Sequence, residues 1–476
     1  MVVQHNMQAA NANRMLNVTT GQQAKSTEKL SSGYRINRAA DDAAGLSISE
    51  KMRKQIRGLD KASSNAEDGV SSVQTAEGAL TEVHSMLQRM NELATQSANG
   101  TNSTTDRSAI QDEISQLTTE IDRVAETTKF NETYLLKGGD GTKQEYMKGH
   151  DAGLKGTLTD GTTKATFKVA AGALDEGKSV TIGGKDYTIG SAVNDVQGVV
   201  DKLTTAGDKV TVNDKTYTYV ANGGTTPGGQ TVTKAGWVLD GDKASTEGIT
   251  LTIANGDKVT TTPKTGASAS YTAAEMDNGV SKADPSIISA EKAVSLMKDE
   301  LIAANKVGVT NGTVTITGTP AYDKDNGVTF EINKGSAEVA NKLSFSLHVG
   351  SDADMTNKIT VGIETMNSSY LGIKGLNVND DSGIAGTYAI DAISDALQKV
   401  SDQRSSLGAV QNRLEHTIDN LDNVVENTTS AESRIRDTDM AKEMVNYSKN
   451  NILAQAGQSM LAQANQSNQG VLSLLQ

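Results

Sequence analysis

The C-terminal stretch from Met440 to Gln476 restricts the fold of this chain more than any other segment. It contains no proline, and its larger apolar residues recur mainly every seven or eight positions, which places them in one stripe along an α-helix. An isolated helix is only marginally stable in water, so a helix with such a stripe requires a packing partner. The stripe residues are Val445, Ile452, Leu453, Met460, Leu461, Val471, Leu472 and Leu475.

The N-terminal end of the chain offers that partner. Val3, Met7 and Leu16 lie among glutamine, asparagine and threonine, again without proline. Two ends of matching character predict that the terminal helices pair, and that the stripe surface left over is buried against other copies of the molecule. These three residues and the C-terminal stripe are therefore the predicted self-assembly residues.

Composition excludes several function classes. The chain has 3% aromatic residues, which suits long helical bundles because alanine and leucine fill narrow seams. It has no cysteine, which excludes disulfides, thiolate metal sites and cysteine nucleophiles. A net charge of −13 argues against nucleic-acid binding. No apolar run approaches the roughly 18 residues that span a bilayer, and the N-terminus lacks the pattern of a secretory signal peptide. We expect neither nucleic-acid nor membrane partners.

The position of proline divides the chain into three parts. All four prolines lie in a central part rich in Gly, Thr, Lys and Asp, between helix-forming ends. This predicts a mainly α fold, in which the N- and C-terminal segments form a long coiled-coil-like helical bundle around a β-rich α+β insert. The predicted domains are a terminal coiled coil at 1–43 and 435–476, a long-helix bundle with short strands at 44–138 and 343–434, and a variable, surface-exposed insert at 139–342.

Heptad spacing predicts long helices in both ends of the chain. Gly33 is expected to end the first helix, and Thr105-Asp106 to cap the third. The predicted ranges are about Asn6–Ser31, Leu46–Ala98, Thr105–Thr128 and Tyr388–Thr429, followed by a break at Arg434–Asp439 and the C-terminal helix.

The connector after Gly33 carries Arg35 and Arg38 against Asp41 and Asp42. A local salt-bridged linker is favoured over a metal site, because adjacent carboxylates point in different directions and no third ligand is near.

The insert shows strand and turn signals. Two hairpins are predicted at Val180–Ile189, with Gly-Gly at the turn, and at Val210–Tyr219. A short amphipathic helix lies between them, and another is predicted at about Ser289–Ala304. Strands follow at Leu343–Val349 and Ile359–Ile363. The pattern allows one α+β domain or two small ones.

No catalytic constellation is present in the sequence. The five histidines are scattered, and there is no HExxH, GxSxG or Gly-rich phosphate loop. We therefore predict no catalytic residues, no cofactor, no metal site and no enzymatic activity.

Both ends of the chain resemble bacterial flagellin, and the matching strings lie in roughly half the chain. In the N-terminal part they are Leu30–Gly33, Arg35–Asn37, Ala40–Leu46, Glu92–Ala94, Gln96–Gly100, Glu120–Arg123 and Thr128–Asn131; in the C-terminal part they are Leu407–Leu414, Ser433–Asp439, Ala462–Gln466 and Val471–Leu475.

The resemblance implies a structural subunit that self-assembles into the flagellar filament and serves motility outside the cell. It implies paired terminal helices lining the central channel, long helices in the next layer and the insert outside. It further implies export by the flagellar type III apparatus without a cleaved signal. The implied partners are other copies, an export chaperone at the C-terminal segment, and the filament cap and hook–filament junction proteins.

The resemblance also implies a receptor-binding site. Flagellins seen by Toll-like receptor 5 present an Arg, a Leu and a Glu on two antiparallel helices, and the matching positions here are Arg89, Leu93 and Glu113. An arginine beside a leucine anchor has the chemistry of a binding hot spot. The other interpretation is that these residues make filament contacts.

Three alternatives stay open at this point. A hook–filament junction protein shares flagellin-like ends, but poorer matches to Leu407–Leu414 are expected of it. An enzyme-bearing flagellin would need HExxH or an equivalent in the insert. A filament subunit whose insert also serves adhesion or sugar binding is compatible with the sequence.

Overall fold

The computed structural model describes residues 6–380 and 382–473, with side chains in the last helix described up to residue 466. The chain forms two compact units. The first contains the described residues up to Gln74, Phe345–Val361 and the residues from Leu407 onward; the second contains Thr75–Ser344 and Gly362–Ser406.

The helices are α1 (Met7–Ser32), α2 (Ala43–Ser97), α3 (Thr104–Thr127), α4 (Val193–Lys202), α5 (Ala290–Asn305), α6 (Ser368–Leu371), α7 (Ile384–Arg436) and α8 (Met440–Ser473). The mainly α organisation of both ends and the β-rich middle confirm the predicted fold class. No helix in the described part of the chain is long and apolar enough to cross a membrane.

The first strands are β1 (Lys129–Phe130), β2 (Thr133–Tyr134), β3 (Gly139–Tyr146), β4 (Thr157–Asp160), β5 (Lys164–Val169), β6 (Ser179–Ile182), β7 (Lys185–Ile189), β8 (Ser191–Ala192), β9 (Lys209–Val212), β10 (Lys215–Val220) and β11 (Gly236–Leu239). They are followed by β12 (Lys258–Thr262), β13 (Ala269–Ala274), β14 (Met276–Asp277), β15 (Val280–Ser281), β16 (Ile287–Ile288), β17 (Thr315–Ile316), β18 (Val328–Asn333), β19 (Ser336–Asn341), β20 (Leu343–His348) and β21 (Lys358–Ile363).

Helix boundaries follow local capping rather than the apolar pattern alone. Gly33 ends α1 in the left-handed conformation with φ of 77°, as predicted. Helix α2 begins at Ala43, earlier than predicted, because the Asp42 carboxylate accepts a hydrogen bond from the Gly45 N–H at 2.9 Å. The cap of α3 is Ser103 and not Thr105-Asp106, since Ser103 and Asp106 form a reciprocal capping box.

Helix α7 is longer than predicted at both ends. It begins at Ile384 because the Asp380 carboxylate accepts hydrogen bonds from the N–H groups of Gly383 and Ile384. It continues to Arg436, so the break before α8 is confined to residues 437–439.

The predicted local salt bridges of the connector after Gly33 are wrong. The Asp41 carboxylate accepts hydrogen bonds from the backbone N–H groups of Asn37 and Arg38, which lower the pKa of Asp41. Arg38 pairs with Glu28 of α1 at 3.0 Å instead. The carboxylates of this segment thus satisfy backbone donors, because those donors lie outside any helix or strand.

In the first unit, α2 and α7 pack through small and branched apolar side chains. Leu59 and Ala62 of α2 contact Leu421 of α7 in one cluster. In a second cluster, Ala66 and Leu414 pack with residues of the β20–β21 ribbon. The burial of these residues agrees with the heptad spacing that predicts both long helices.

The insert, in the second unit, contains two large hydrophobic cores, each with its own helix. Helix α4 buries Val196 and Val200 against a six-stranded sheet of order β11-β10-β9-β12-β13-β8. Helix α5 packs Met297 and Leu301 in a core with the five-stranded sheet β14-β15-β16-β7-β6 and the four-stranded sheet β17-β18-β5-β4. Both cores lie within the one compact second unit.

Both predicted hairpins are confirmed. Strands β6 and β7 pair antiparallel across Gly183 and Gly184, whose φ angles are 57° and 70°. Strands β9 and β10 pair across Asn213 and Asp214, with φ of 45° and 68°. Two consecutive positive φ angles define the tight turn whose twist matches that of paired strands, which explains the preference for Gly, Asn and Asp at these positions.

Candidate assembly and recognition surfaces

Helices α1 and α8 pack as an antiparallel pair within the first unit. The Asn6 side-chain amide donates to the Ala464 carbonyl at 3.2 Å. Ten residues further along α1, Leu16 lies against Gly457, so the numbering rises on one helix as it falls on the other. The two ends of the chain thus pair as predicted.

The seam between these two helices is built mainly from small and polar side chains. Its half-buried or buried positions are spaced alternately three and four residues apart, as in a coiled coil. In α1 they are Ala9, Ala12, Leu16, Thr19, Gln23, Ser26 and Leu30; in α8 they are Glu443, Tyr447, Asn450, Ala454, Gly457, Leu461 and Ala464.

Large apolar side chains of the same two helices face outward. Ile452 is 67% exposed and Met460 63% exposed. The further exposed members are Met7, Met15 and Val18 in α1 and Met440, Met444, Val445 and Leu453 in α8. A monomeric soluble protein rarely presents so many large apolar side chains on one element, so this surface has the character of an interaction site.

The structure separates the predicted self-assembly residues into two groups. Leu16 and Leu461 are half-buried in the seam, whereas Met7, Val445, Ile452, Leu453 and Met460 are exposed. Val471 and Leu472 lie in α8, but their side chains are outside the described part, as are Val3 and Leu475 altogether.

Most of the described stripe residues of α8 therefore face away from α1, and Leu461 is the one among them that lies in the seam. The stripe pattern is dominated by the largest side chains, whereas the contact with α1 uses mainly smaller ones, which allow the two backbones to approach closely. The three-four spacing of Ala454, Gly457, Leu461 and Ala464 was the available signal.

A groove of about 820 Å³ runs along the outer side of the α1–α8 pair. Met15 and Leu16 line it from α1, and Leu453, Gly457 and Met460 line it from α8. The groove joins the seam to the outward apolar surface, so a partner helix lying in it would contact both.

The two chain breaks beside the terminal helices are joined to each other. The Arg35 N–H donates to the Arg436 carbonyl at 2.7 Å. The Arg436 guanidinium lies 4.9 Å from the centre of the Tyr34 ring and forms an ion pair of 2.7 Å with Glu50. The hydrogen bond that Arg436 donates to Glu50 within this ion pair lowers the pKa of the Glu50 carboxyl. These contacts fix the point at which the chain leaves α1 and enters α8.

In the second unit, the three predicted receptor-binding residues differ in exposure. Arg89 donates to Glu113 at 2.9 Å and to Glu92 at 3.1 Å, and these carboxylates raise the pKa of the guanidinium. Leu93 is only 2% exposed. Four residues advance a helix by more than one full turn, which carries Leu93 into the buried side beside Met90. The exposed patch consists of the Arg and the two Glu residues.

Comparisons with known proteins agree with these features. The model of the bacterial flagellin N-terminal helical region matches residues 3–140, and that of the C-terminal helical region matches residues 390–475. A flagellin of Clostridium tyrobutyricum is 40% identical over 98% of this chain and 100% of its own length. Flagellin B of Vibrio cholerae is 34% identical over 99% of each chain, and a flagellin of Bacillus subtilis is 34% identical over 100% of each.

The chain belongs to the bacterial flagellin family. Flagellins are structural proteins that assemble into the flagellar filament, which lies outside the cell and serves motility. Membership confirms the predictions of a filament subunit and of a structural rather than enzymatic role. The exposed apolar surface of its terminal helices is thus a surface of a protein that polymerises.

The described part of this flagellin holds no group of three or more His, Cys, Asp or Glu side chains placed to bind a metal ion. Neither family model extends over residues 141–389, which include the β-rich insert.

Proposed function

We propose that the outward apolar face of α1 and α8 is the surface through which copies of this chain polymerise. The observation that carries the proposal is the division of each terminal helix: small and polar residues fill the seam within the chain, and the large apolar residues remain exposed. A single chain leaves this surface in water. Neighbouring copies bury it, and burial of one large apolar side chain contributes about 1.5–3 kcal/mol.

The test replaces two exposed apolar residues of α8 with serine, in the double variant Ile452→Ser and Met460→Ser. We expect the critical concentration for seeded filament growth to rise at least about 100-fold, because the apolar burial of two side chains is lost at each copy. Electron microscopy and sedimentation measure filament mass. The matched control replaces two exposed polar residues of the same helix, Gln455→Ser and Gln458→Ser.

Filament growth of the apolar double variant at the wild-type critical concentration would remove this surface from the assembly mechanism. Far-UV circular dichroism of the monomers separates this outcome from unfolding of α8, since serine substitution at exposed positions leaves most of the helix content in place.

We also propose that the monomer is a ligand of Toll-like receptor 5 through the exposed patch of Arg89, Glu92 and Glu113. Support comes from the geometry of the patch, in which one guanidinium is held by two carboxylates on the surface of neighbouring helices. Arg89→Ala is expected to weaken receptor binding at least about tenfold, as for a hot-spot arginine. Arg123→Ala, which removes another exposed ion-paired arginine on α3, is the control.

Leu93 is unsuitable for this test. Replacement of a side chain that is almost fully buried would lower stability and would mix folding with binding. Equal receptor affinity of Arg89→Ala and wild type, measured by surface plasmon resonance on folded monomers, would exclude the patch.

We further propose that a flagellar export chaperone covers the outward face of α8 before assembly, and that the chain leaves the cell through the flagellar type III apparatus with its N-terminus intact. An exposed apolar helix requires cover in the cell. Mass spectrometry of filament protein is expected to find the N-terminal peptide beginning at Met1 or Val2. A mature N-terminus shortened by a signal-peptide length would contradict this route.

A further inference from the structure

The insert contains a cleft of about 680 Å³ beside the junction of its two hydrophobic cores. The turn at Leu174–Lys178 and the join of β7 to β8 form part of its lining. The start of β13 and the first turn of α5 form further parts, with Tyr322 and Lys324 from a later loop. The volume is that of a small-molecule site.

Close backbone packing holds the cleft in shape. A Cβ atom on Gly190 would lie 2.7 Å from the Ile287 side chain, and one on Gly279 would lie 2.7 Å from the Ser289 hydroxyl. Gly279 also has a φ of 77°, which favours glycine. The Ser289 N–H donates to the Gly279 carbonyl at 2.8 Å. A side chain at either position would displace these neighbours, so glycine allows the lining segments to approach closely.

The lining is about half polar and half apolar, and it is formally acidic. It includes several hydroxyl groups and two tyrosine rings. The Tyr322 hydroxyl donates to the Asp175 carboxylate at 2.8 Å, which fixes both groups in the lining. The charged residues of the lining are the carboxylates Asp175, Glu176, Asp195 and Glu291 and the lysines Lys178 and Lys324. A ligand that complements this set carries a positive charge and several hydroxyl groups.

Glu176 is the member of this set that most requires a partner. It is largely withdrawn from water and accepts one long hydrogen bond, of 3.4 Å, from the Thr272 N–H. Burial, opposed by the Thr272 N–H and aided by the neighbouring Asp175 carboxylate, raises the pKa of Glu176 to about 7. A cation placed beside this carboxylate would offset the cost of its burial.

We propose that this cleft binds a small saccharide that carries a protonated amine. The amine pairs with Glu176 and Asp175, and the sugar hydroxyls exchange hydrogen bonds with the serine and tyrosine hydroxyls of the lining. The Tyr271 ring offers an apolar surface for one face of the sugar. The cleft residues belong to the second unit, whereas α1 and α8 of the proposed assembly surface belong to the first.

The test measures binding of 2-aminoethyl glucoside to the full-length monomer by saturation-transfer NMR. The neutral hydroxyethyl glucoside is the matched ligand. We expect the amine to bind at least about tenfold more tightly, since a hydrogen bond to a charged group is stronger than one between neutral groups. Glu176→Gln keeps the shape and is expected to lose that preference, whereas Glu247→Gln, at an exposed carboxylate outside the cleft, is expected to retain it.

The pH dependence provides a second readout. The ionised form of Glu176 binds the amine, so affinity should rise between about pH 6 and about pH 8, where an aliphatic amine remains protonated. Asp175, Asp195, Glu291, Lys178 and Lys324 also face the cleft, so the deciding quantity is the difference between the wild-type and Glu176→Gln profiles.

Equal binding of the two glucosides, or of the amine to wild type and Glu176→Gln, would overturn the proposal. Absence of saturation transfer to either ligand would overturn it as well. Unchanged circular dichroism of Glu176→Gln ensures that a loss of binding reflects the cleft and not the fold.

Discussion

The α1–α8 pair and the long helix α2 share the heptad spacing of a coiled coil, but they direct their large side chains to opposite sides. In α2, the large residues Leu80 and Leu87 are fully buried. In α8, the residues turned toward α1 include Ala454 and Gly457, whereas Ile452 is turned to water. Heptad spacing alone predicts a helix with one packing face, but the size of the residues on that face determines which contacts the face can make.

This difference separates stability within one chain from association between chains. A seam of large apolar residues contributes its burial free energy to the folded monomer. A small-residue seam brings two helices together with little of that gain and leaves the large residues for another partner. The terminal pair therefore keeps exposed apolar surface that further association can bury, whereas the large residues of α2 are already buried.

The largest effect is expected at the buried seam of α2. Leu80→Ala removes a side chain with 0% exposure and should lower the free energy of unfolding of the monomer by about 2–5 kcal/mol. Urea denaturation followed by circular dichroism measures the change. Ile48→Ala, at a half-exposed position of the same helix, is the control and should lose much less. A Leu80 variant as stable as the Ile48 variant would mean that the buried seam of α2 does not contribute its burial free energy to the monomer.

The second prediction concerns overpacking of the terminal seam. Ala454 is 7% exposed, so Ala454→Leu inserts a large side chain where two backbones lie close, and should destabilise the α1–α8 pair by about 1–3 kcal/mol. Hydrogen exchange of α8 amides in the monomer reports this pairing. Gln455→Leu adds the same side chain at the adjacent exposed position and should leave the exchange rates nearly unchanged. Slower exchange in Ala454→Leu would mean that the seam has room for large residues.

The features of this fold that the sequence predicts are mainly those set by large buried residues, and the features it does not predict involve small ones. The long helices were predictable because large residues such as Leu414 and Leu421 repeat every seven positions and are buried. The turn at Gly183-Gly184 was predictable because few residues adopt its φ angles. The orientation of α8 relative to α1 was not predictable, because hydrophobic patterns emphasise large side chains, whereas the contact of α8 with α1 uses mainly small ones.

Long-range pairing in the insert was also beyond sequence reasoning. Strand β18 pairs with β5 so that Phe330 lies opposite Phe167, although more than 150 residues separate them. No local pattern specifies such a partner. The burial of Leu93 also cannot be read from the sequence, because its spacing from Arg89 specifies a shared side of the helix but not the exposure of either residue. A helix face is broad enough for one residue to be exposed while another four positions later is buried.

The third prediction concerns a single added methyl group in the α1–α8 seam. A Cβ atom on Gly457 would lie 3.4 Å from the Leu16 side chain, an ordinary contact distance. Gly457→Ala should therefore fit the seam and stabilise α8 by about 0.5–1 kcal/mol, because alanine restricts the unfolded chain and favours helix. Amide exchange in α8 should slow by about two- to fivefold. Faster exchange would show that the helices approach more closely there than 3.4 Å allows.

The smallest effect on the monomer is expected where the effect on assembly is large. Ile452→Ala removes an apolar side chain that is mostly in water, so the free energy of unfolding of the monomer should change by less than about 0.5 kcal/mol. The critical concentration for filament growth should nevertheless rise, because every copy in the polymer lacks that contact. Paired measurements of monomer stability and critical concentration, with Leu80→Ala as the opposite case, test whether the two properties separate. A loss of monomer stability as large as that of Leu80→Ala would place Ile452 in an intramolecular core, and the outward face of α8 could then no longer account for polymerisation.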